Sequence, residues 1–275
     1  MARMRRRNSP LWAWAVVTLC TVFFTVPMLA MARFALQKVP VSLLGRDTLF
    51  TRWTFSGVVD TVSDGEFVAA ALLSVRLGLL TVTLVLMLMV PTVVWLHVRA
   101  PRLRPLVEMV STVPYVVPPI ALVVGVSAVF RGPVPWLVAS NDGMIPLYAV
   151  LCLPFTFRAL DAGAAAMDLR TQMDTSSSLG AGRLRTLMSV VLPGMRTSVA
   201  SAGFLGFAVV MGEYAIASLL LRPTLPAYMV EAQGREPQGS MAVALLLLVV
   251  TSAIFVLINR TGRREGTHQT IGLPA

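Results

Sequence analysis

DTSSSLGAGRLRTLMSVVLP, Asp174 to Pro193, is the stretch on which the reading of this chain turns. It is short, polar and basic, and it lies between two long apolar segments. Thr171-Gln172-Met173-Asp174 has capping-box spacing, a hydroxyl followed three residues later by a carboxylate. Gly180-Ala181-Gly182 predicts a turn with backbone at positive φ. Beyond it, Leu184, Leu187, Met188 and Val191 recur at i, i+3, i+4 and i+7, the stripe of an amphipathic helix. Arg183, Arg185, Thr186 and Ser189 lie off that stripe. Pro193 opens the next apolar segment, a position that tolerates a missing N–H. The pattern predicts a helix–turn–helix on the inner face of a membrane. Its apolar side is expected to face the protein and its basic side something else.

Composition agrees with a membrane setting. Of 275 residues, 56% are hydrophobic and only 13% charged, and the mean hydropathy is +0.76. That excludes an ordinary soluble domain and indicates an all-α polytopic membrane protein. A crossing needs about 20 apolar residues, and about six transmembrane helices can be drawn: 11–34, 67–97, 106–130, 144–160, 193–221 and 241–258. The net charge of +10 is distributed by segment. Arg3 to Arg7, Arg99 to Arg104, Arg158 to Arg196 and Arg260 to Arg264 fall in alternate connections, whereas the intervening ones hold few arginines. That is the positive-inside pattern, and it predicts a multi-pass protein with both termini in the cytoplasm. It also argues against a nucleic-acid partner, for which the basic residues would share one face of a domain. The Arg-rich start and apolar run through Met31 are expected to form an uncleaved first span.

Within the segments, Arg76 predicts snorkelling to outer headgroups, with substrate contact as the alternative. Trp53 suits an interface anchor. The third segment carries Pro114, Pro118, Pro119 and Gly125, so it should be kinked or broken and face the protein interior. Pro114, Tyr115, Pro118 and Pro119 either shape packing or line a pathway. Ser198, Ala202 and Gly206 at i+4 steps permit close helix approach, as a seam between two subunits or within one. Glu213 and Tyr214 lie deep in the fifth segment, where a carboxylate has either a structural partner such as an arginine or a place on a pathway. Cys20 and Cys152 are expected to be buried, inert thiols. The tail beyond the last segment is expected to be disordered.

The Asp174–Pro193 stretch resembles the EAA loop of permease subunits of binding-protein-dependent ABC importers. Asp174, Gly180, Val190, Leu192 and Pro193 fall in that loop's register, and Ser178-Leu179-Gly180-Ala181 resembles its core. The departure is Asp174-Thr175-Ser176 in place of Glu-Ala-Ala, which keeps the charge sign and small size. Val113 to Ile120 and Gly212-Glu213-Tyr214 resemble stretches of permeases from polyamine, iron and aminophosphonate importers. The resemblance covers nearly the whole chain. It implies a type I ABC importer permease-like fold, with residues 1–275 forming a single transmembrane permease domain and 161–192 its cytoplasmic coupling loop. Asp174, Ser178, Leu179, Gly180, Ala181, Leu184, Leu192 and Pro193 would then dock into an ATPase subunit. Pro114, Tyr115, Pro118, Pro119, Glu213 and Tyr214 are the pathway candidates. The partners implied are ABC ATPase subunits, a second permease subunit (homologous or identical) and an extracytoplasmic solute-binding protein, at a bacterial cytoplasmic membrane. A polyamine or another small charged solute is the implied substrate class.

The residue inventory fits a subunit without chemistry of its own. There is no GxxxxGK, so ATP and magnesium belong on the partner ATPase, and no cofactor is expected on this chain. There is no HExxH, CxxC or GxSxG, and the histidines are His97 and His268. No catalytic or metal-ligating set emerges, so the chain is not expected to be an enzyme. The alternative is a secondary transporter or channel without an ATPase partner. Few mid-membrane ionisable residues and no evident inverted repeat favour it less.

Overall fold

The computed structural model describes residues 11–37 and 53–266. Apart from an isolated bridge between Gln37 and Trp53, the regular elements among the described residues are helical. Two compact units are present, one formed by residues up to 64 with 230–249 and one by 65–229 with the C-terminal part.

The first unit contains α1 (Leu11–Ala35), α2 (Ser56–Ser63) and the start of a long C-terminal helix. α1 is apolar along its length, and its large side chains, Trp12 and Phe23 among them, are exposed. Such a surface is stable only against lipid or another protein. Cys20 lies on it, exposed, contrary to the expected buried thiol. α2 meets residue 239 closely. A Cβ at Gly239 would sit 2.2 Å from Thr61 Oγ1 and 2.9 Å from the Gly57 carbonyl oxygen, so this contact requires glycine. Trp53 is exposed, as an interface anchor should be.

The second unit opens with α3 (Gly65–Arg99). A 3₁₀ turn at Pro101–Leu103 leads into α4 (Arg104–Val116) and α5 (Pro119–Phe130). The short α6 (Trp136–Ala139) precedes α7 (Met144–Ala165). Then come α8 (Leu169–Ser178), α9 (Arg183–Thr186), a π-helical turn at Leu187–Val191 and α10 (Leu192–Gly194). α11 (Arg196–Met211) and α12 (Ala215–Leu219) follow, and α13 (Leu225–Arg235) and α14 (Pro237–Gly266) complete the order.

α3, α7 and α11 form the core of this unit. Leu77, Val85, Leu151, Cys152 and Val210 are buried together in one cluster, and Val93, Leu96, Phe157, Leu160 and Ala202 in a second. The small residues of α11 make this approach. A Cβ at Gly206 would lie 3.3 Å from Thr156 Cγ2 of α7 and 3.4 Å from Val82 of α3. Ser198 lies so close to Gly163 that a Cβ there would be 2.0 Å from its hydroxyl oxygen. The Ser198–Ala202–Gly206 stripe therefore packs within this subunit.

Length and hydropathy qualify four helices as membrane crossings among the described residues: Trp12–Ala35, Gly65–Arg99, Met144–Ala165 and Arg196–Leu219. A fifth crossing results if the bent pair Pro101–Val116 and Pro119–Phe130 counts as one. The sixth expected segment lies in α14, whose apolar part, Pro237–Ala253, is shorter than the others. The expected break in the third segment is present as a 93° bend. Consecutive prolines cause it. Pro118 and Pro119 donate no N–H, and Val117 before them is pushed to an extended ψ of 125°. Pro119 then opens α5 at its first turn, where no donor is needed. The expected inward facing of this segment is met in part, since α4 packs on α7. Val113, Tyr115, Val116, Ile120 and Val124 are all exposed in this chain. The described part of the expected disordered tail is helical instead, since α14 continues to Gly266, and the remainder lies outside the described residues.

Candidate functional site

The 168–193 segment is a helical hairpin, but its local rules differ from those expected. α8 begins earlier than the capping-box spacing indicates. Asp168 is its N-cap, and its Oδ1 accepts the Thr171 N–H at 3.2 Å. Thr171 and Asp174 are thus interior residues of α8, not cap and partner. The Thr171 side chain and its N–H together hold the Asp168 carboxyl below the usual carboxylate range. Leu169 is buried and Met173 packs against the second core cluster, so α8 is seated by its i, i+4 pair.

The turn forms where the glycines indicated. Gly180 has φ +80°. Its N–H donates to the Ser177 carbonyl at 3.0 Å, and the Ala181 N–H to the Ser176 carbonyl at 2.9 Å. This pair of bonds is a Schellman motif, which ends α8 and satisfies its last carbonyls. Nothing lies within 4 Å of where a Gly180 Cβ would be. The glycine is required here by backbone conformation, not by space within the chain.

The polarity of the returning helix is the main correction. Leu184 and Met188 were expected to face the protein, yet they are 72% and 59% exposed, and Leu179 in the turn is 83% exposed. Thr186 and Val191 are buried instead. The π-helical turn accounts for this. Residues five apart share a face across a π turn, whereas an α-helix would rotate them well away from each other. Thr186 and Val191 are five apart. Leu187 and Leu192 pack partly against the core, while Pro193 is exposed. The hairpin tip therefore presents an outward apolar patch of Leu179, Leu184 and Met188. Asp174, Ser178 and Gly180 are exposed beside it, and Ala181 is half-buried.

The pathway candidates lie at two helix breaks. Pro114, Tyr115, Pro118 and Pro119 surround the α4–α5 bend, and the Tyr115 ring meets Phe155 edge-on with centroids 5.1 Å apart. Glu213 and Tyr214 lie between α11 and α12. Glu213, half-buried, is held by backbone N–H groups and not by an arginine. Its carboxylate accepts the Ile216 N–H at 2.9 Å and the Ala217 N–H at 3.4 Å, capping α12. The buried Tyr148 side chain faces the same carboxylate. α12 packs on α5. An open cleft of about 480 Å³ lies there, lined by Val123, Val124, Ser127, Ala128, Arg131 and Leu219. Sequence reading passed over Ser127 and Arg131, because nothing local marks them as facing Leu219.

Ion pairs and a histidine–carboxylate hydrogen bond tie the helix ends together. At one end, Asp161 of α7 meets His97 Nε2 of α3 at 3.0 Å and also bonds Arg104 of α4. Arg158 pairs with Glu108 at 3.3 Å. At the other, Arg76 forks onto Asp142 at 2.8 and 2.6 Å, so it has a specific partner where snorkelling was expected. These distant pairings were not legible as spacing.

Residues 98–262 match the family described as "Binding-protein-dependent transport system inner membrane component". The chain belongs to this family. The permease is accordingly a multi-pass inner membrane protein and a non-catalytic subunit of an ABC importer. It is 30% identical over 131 residues to ORF1 of Streptomyces antibioticus, named for an ABC transporter permease, covering 45% of this chain. That match spans only 57% of the relative's length. The permease is 28% identical over 163 residues to the molybdenum transport system permease protein ModB of Azotobacter vinelandii, covering 55% of this chain and 72% of that one. Its fold matches a bacterial ABC transporter involved in the import of the acidic polysaccharide alginate, with TM-score 0.66 at 14% identity. That likeness covers 94% of this chain and 99% of the other.

Proposed function

We propose that the α8–α9 hairpin is the coupling element of this permease and that it docks into a separate ATPase subunit. The observation that carries this reading is the outward patch of Leu179, Leu184 and Met188 on an otherwise polar, basic hairpin. Exposed apolar side chains held on a rigid turn outside the membrane are suited to a partner's cleft. The hairpin is also wired to the core. Leu169, Met173 and Val191 pack against residues of α3, α7 and α11. A rigid-body shift imposed on the tip by ATP-driven closure of the partner is thus passed to the crossing helices, and the site alternates between the two sides. A second permease subunit and an extracytoplasmic solute-binding protein complete the assembly. The exposed apolar faces of α4 and α5 suit the former. Residues 1–275 act as one transmembrane permease domain, with the hairpin and both termini in the cytoplasm.

The proposed substrate is a small charged solute. The Glu213 carboxylate is engaged by the α12 N–H groups, which leaves it less free to meet a cation. The relative named for molybdenum transport and the Arg131-lined cleft together favour an oxyanion over a polyamine.

The test is Gly180→Asp. A side chain in the left-handed region costs roughly 1–2 kcal/mol, and the new group protrudes beside the apolar patch. Since the substitution is in the exposed hairpin, the variant should reach the membrane at near-normal levels. It should no longer co-purify its ATPase, and ATP-dependent uptake of labelled molybdate or polyamine should stop. Asp174→Ala should be milder. Retention of both ATPase and uptake by Gly180→Asp would remove the main support for docking at this hairpin.

A further inference from the structure

Between the last turns of α3 and the inner side of the hairpin runs a groove of about 340 Å³. Pro91, Val94, Trp95 and Val98 form its apolar wall. Arg99 of α3 lines it too, with Met173, Asp174, Ser177, Arg183, Leu184 and Leu187 on the hairpin side. We propose that this groove binds an anionic phospholipid. Its acyl chain lies along Pro91, Val94 and Trp95, and its phosphate sits between Arg99 and Arg183. The inference goes beyond the importer reading and requires only that α3 crosses a membrane.

Three observations carry it. The first is polarity along the groove. Along α3 the lining runs from Pro91, Val94 and Trp95 to Arg99, and the hairpin adds Arg183, which matches a chain with an anionic head. Neither guanidinium joins an ion pair among the described residues, so both retain their donors. The second is depth. Pro91 precedes Arg99 by eight residues, about 12 Å along a helix at 1.5 Å per residue. With the Arg99 end of α3 at the headgroups, this wall lies at acyl-chain depth, which a lipid occupies and a water-soluble subunit does not. The third is Trp95. It is half-exposed in the groove wall, one turn from Arg99, where indole rings mark the boundary between hydrocarbon and headgroups. Two arginines against one carboxylate, Asp174, leave the lining net positive, so an anionic head is preferred over a zwitterionic one.

The experiment titrates the purified full-chain permease with phosphatidylglycerol or phosphatidylcholine and counts retained lipids by native mass spectrometry. Phosphatidylglycerol should be retained preferentially. Arg99→Gln with Arg183→Gln should weaken that retention about 25-fold, from about fivefold per basic residue near the surface. Arg102→Gln, from the same basic turn but outside the groove, should leave it unchanged. Asp174→Asn should strengthen it, a gain that simple misfolding does not produce. Equal retention of the two lipids overturns the proposal. So does an unchanged lipid count in the double variant accompanied by loss of a co-purified ATPase, which would assign the groove to that protein.

Discussion

Asp168 shows how one carboxylate sets the start of α8. The Thr171 side chain and N–H stabilise its ionised form, so its pKa in the folded hairpin lies below the unfolded value. The stabilisation is therefore present above the unfolded pKa, about 4. It is lost as pH falls through the lower folded value. Hydrogen exchange should show the first turn of α8 opening more readily in that acid range. Asp168→Ala should open it at every pH. Asp168→Asn keeps an accepting oxygen and should abolish only the pH dependence. Loss of protection spread evenly over the whole hairpin would contradict a local cap. The Gly180 turn was legible because its glycine sits in the helix-end pattern, and φ is a property of the local chain. The Asp168 cap was not. Asp168 and Thr171 also have capping spacing, but a second eligible pair, Thr171 and Asp174, lies three residues on, and burial of Leu169 decides between them. Glu213 was legible as unusual, but its role was not, since its partners exist only once α11 breaks before α12.

Among the elements, the α7–α11 contact is the most demanding. Gly163→Ala places a methyl group 2.0 Å from Ser198 Oγ and 2.4 Å from its Cβ. Serine is too short to swing clear, so the helices must separate. Overpacking of this kind typically costs about 1–3 kcal/mol. Thermal unfolding of the purified variant should occur at lower temperature, and the added change Ser198→Gly should restore most of the loss. If Gly163→Ala alone unfolds as the unaltered chain does, the two helices are farther apart than described. The small residues of α11 were visible in the sequence, but Gly163 was not singled out. Its significance depends on meeting Ser198, thirty-five positions away. The same limit applies to the returning helix of the hairpin. An i, i+3, i+4, i+7 stripe predicts one buried face only if the α-helical period holds, and the π turn at Leu187–Val191 changes that period.

For the molecule as a whole, direction across the membrane decides whether the hairpin can meet a cytoplasmic ATPase. The ends of α3 and α7 and the start of α4 meet through His97, Asp161 and Arg104, so this basic end is one side of the second unit. The alternation of arginines predicts that this side is cytoplasmic. Gly182 is exposed in the hairpin, and a Cβ there meets nothing within 4 Å. Gly182→Cys in an otherwise cysteine-free chain should react with an impermeant maleimide only after cells are permeabilised. Labelling in intact cells would invert the topology and place the hairpin out of reach of any cytoplasmic ATPase.

Hydropathy, arginine alternation and a glycine turn set the membrane class, the crossing segments and the hairpin position. They act through chain-local quantities: transfer of an apolar run into lipid, the charge of a connection, and the freedom of one φ angle. Folding alone decided which faces are covered. Leu184 and Met188 point outward because a π turn re-phases the helix after Thr186. Much of the α4–α5 bend is exposed because α7 covers only one side of it, through contacts such as Tyr115 on Phe155. Arg76 has Asp142, and Glu213 has the α12 N–H groups, because the fold brings them within reach. These outcomes rest on contacts between distant residues, or on backbone breaks that such contacts stabilise, and neither is encoded in spacing along a single segment.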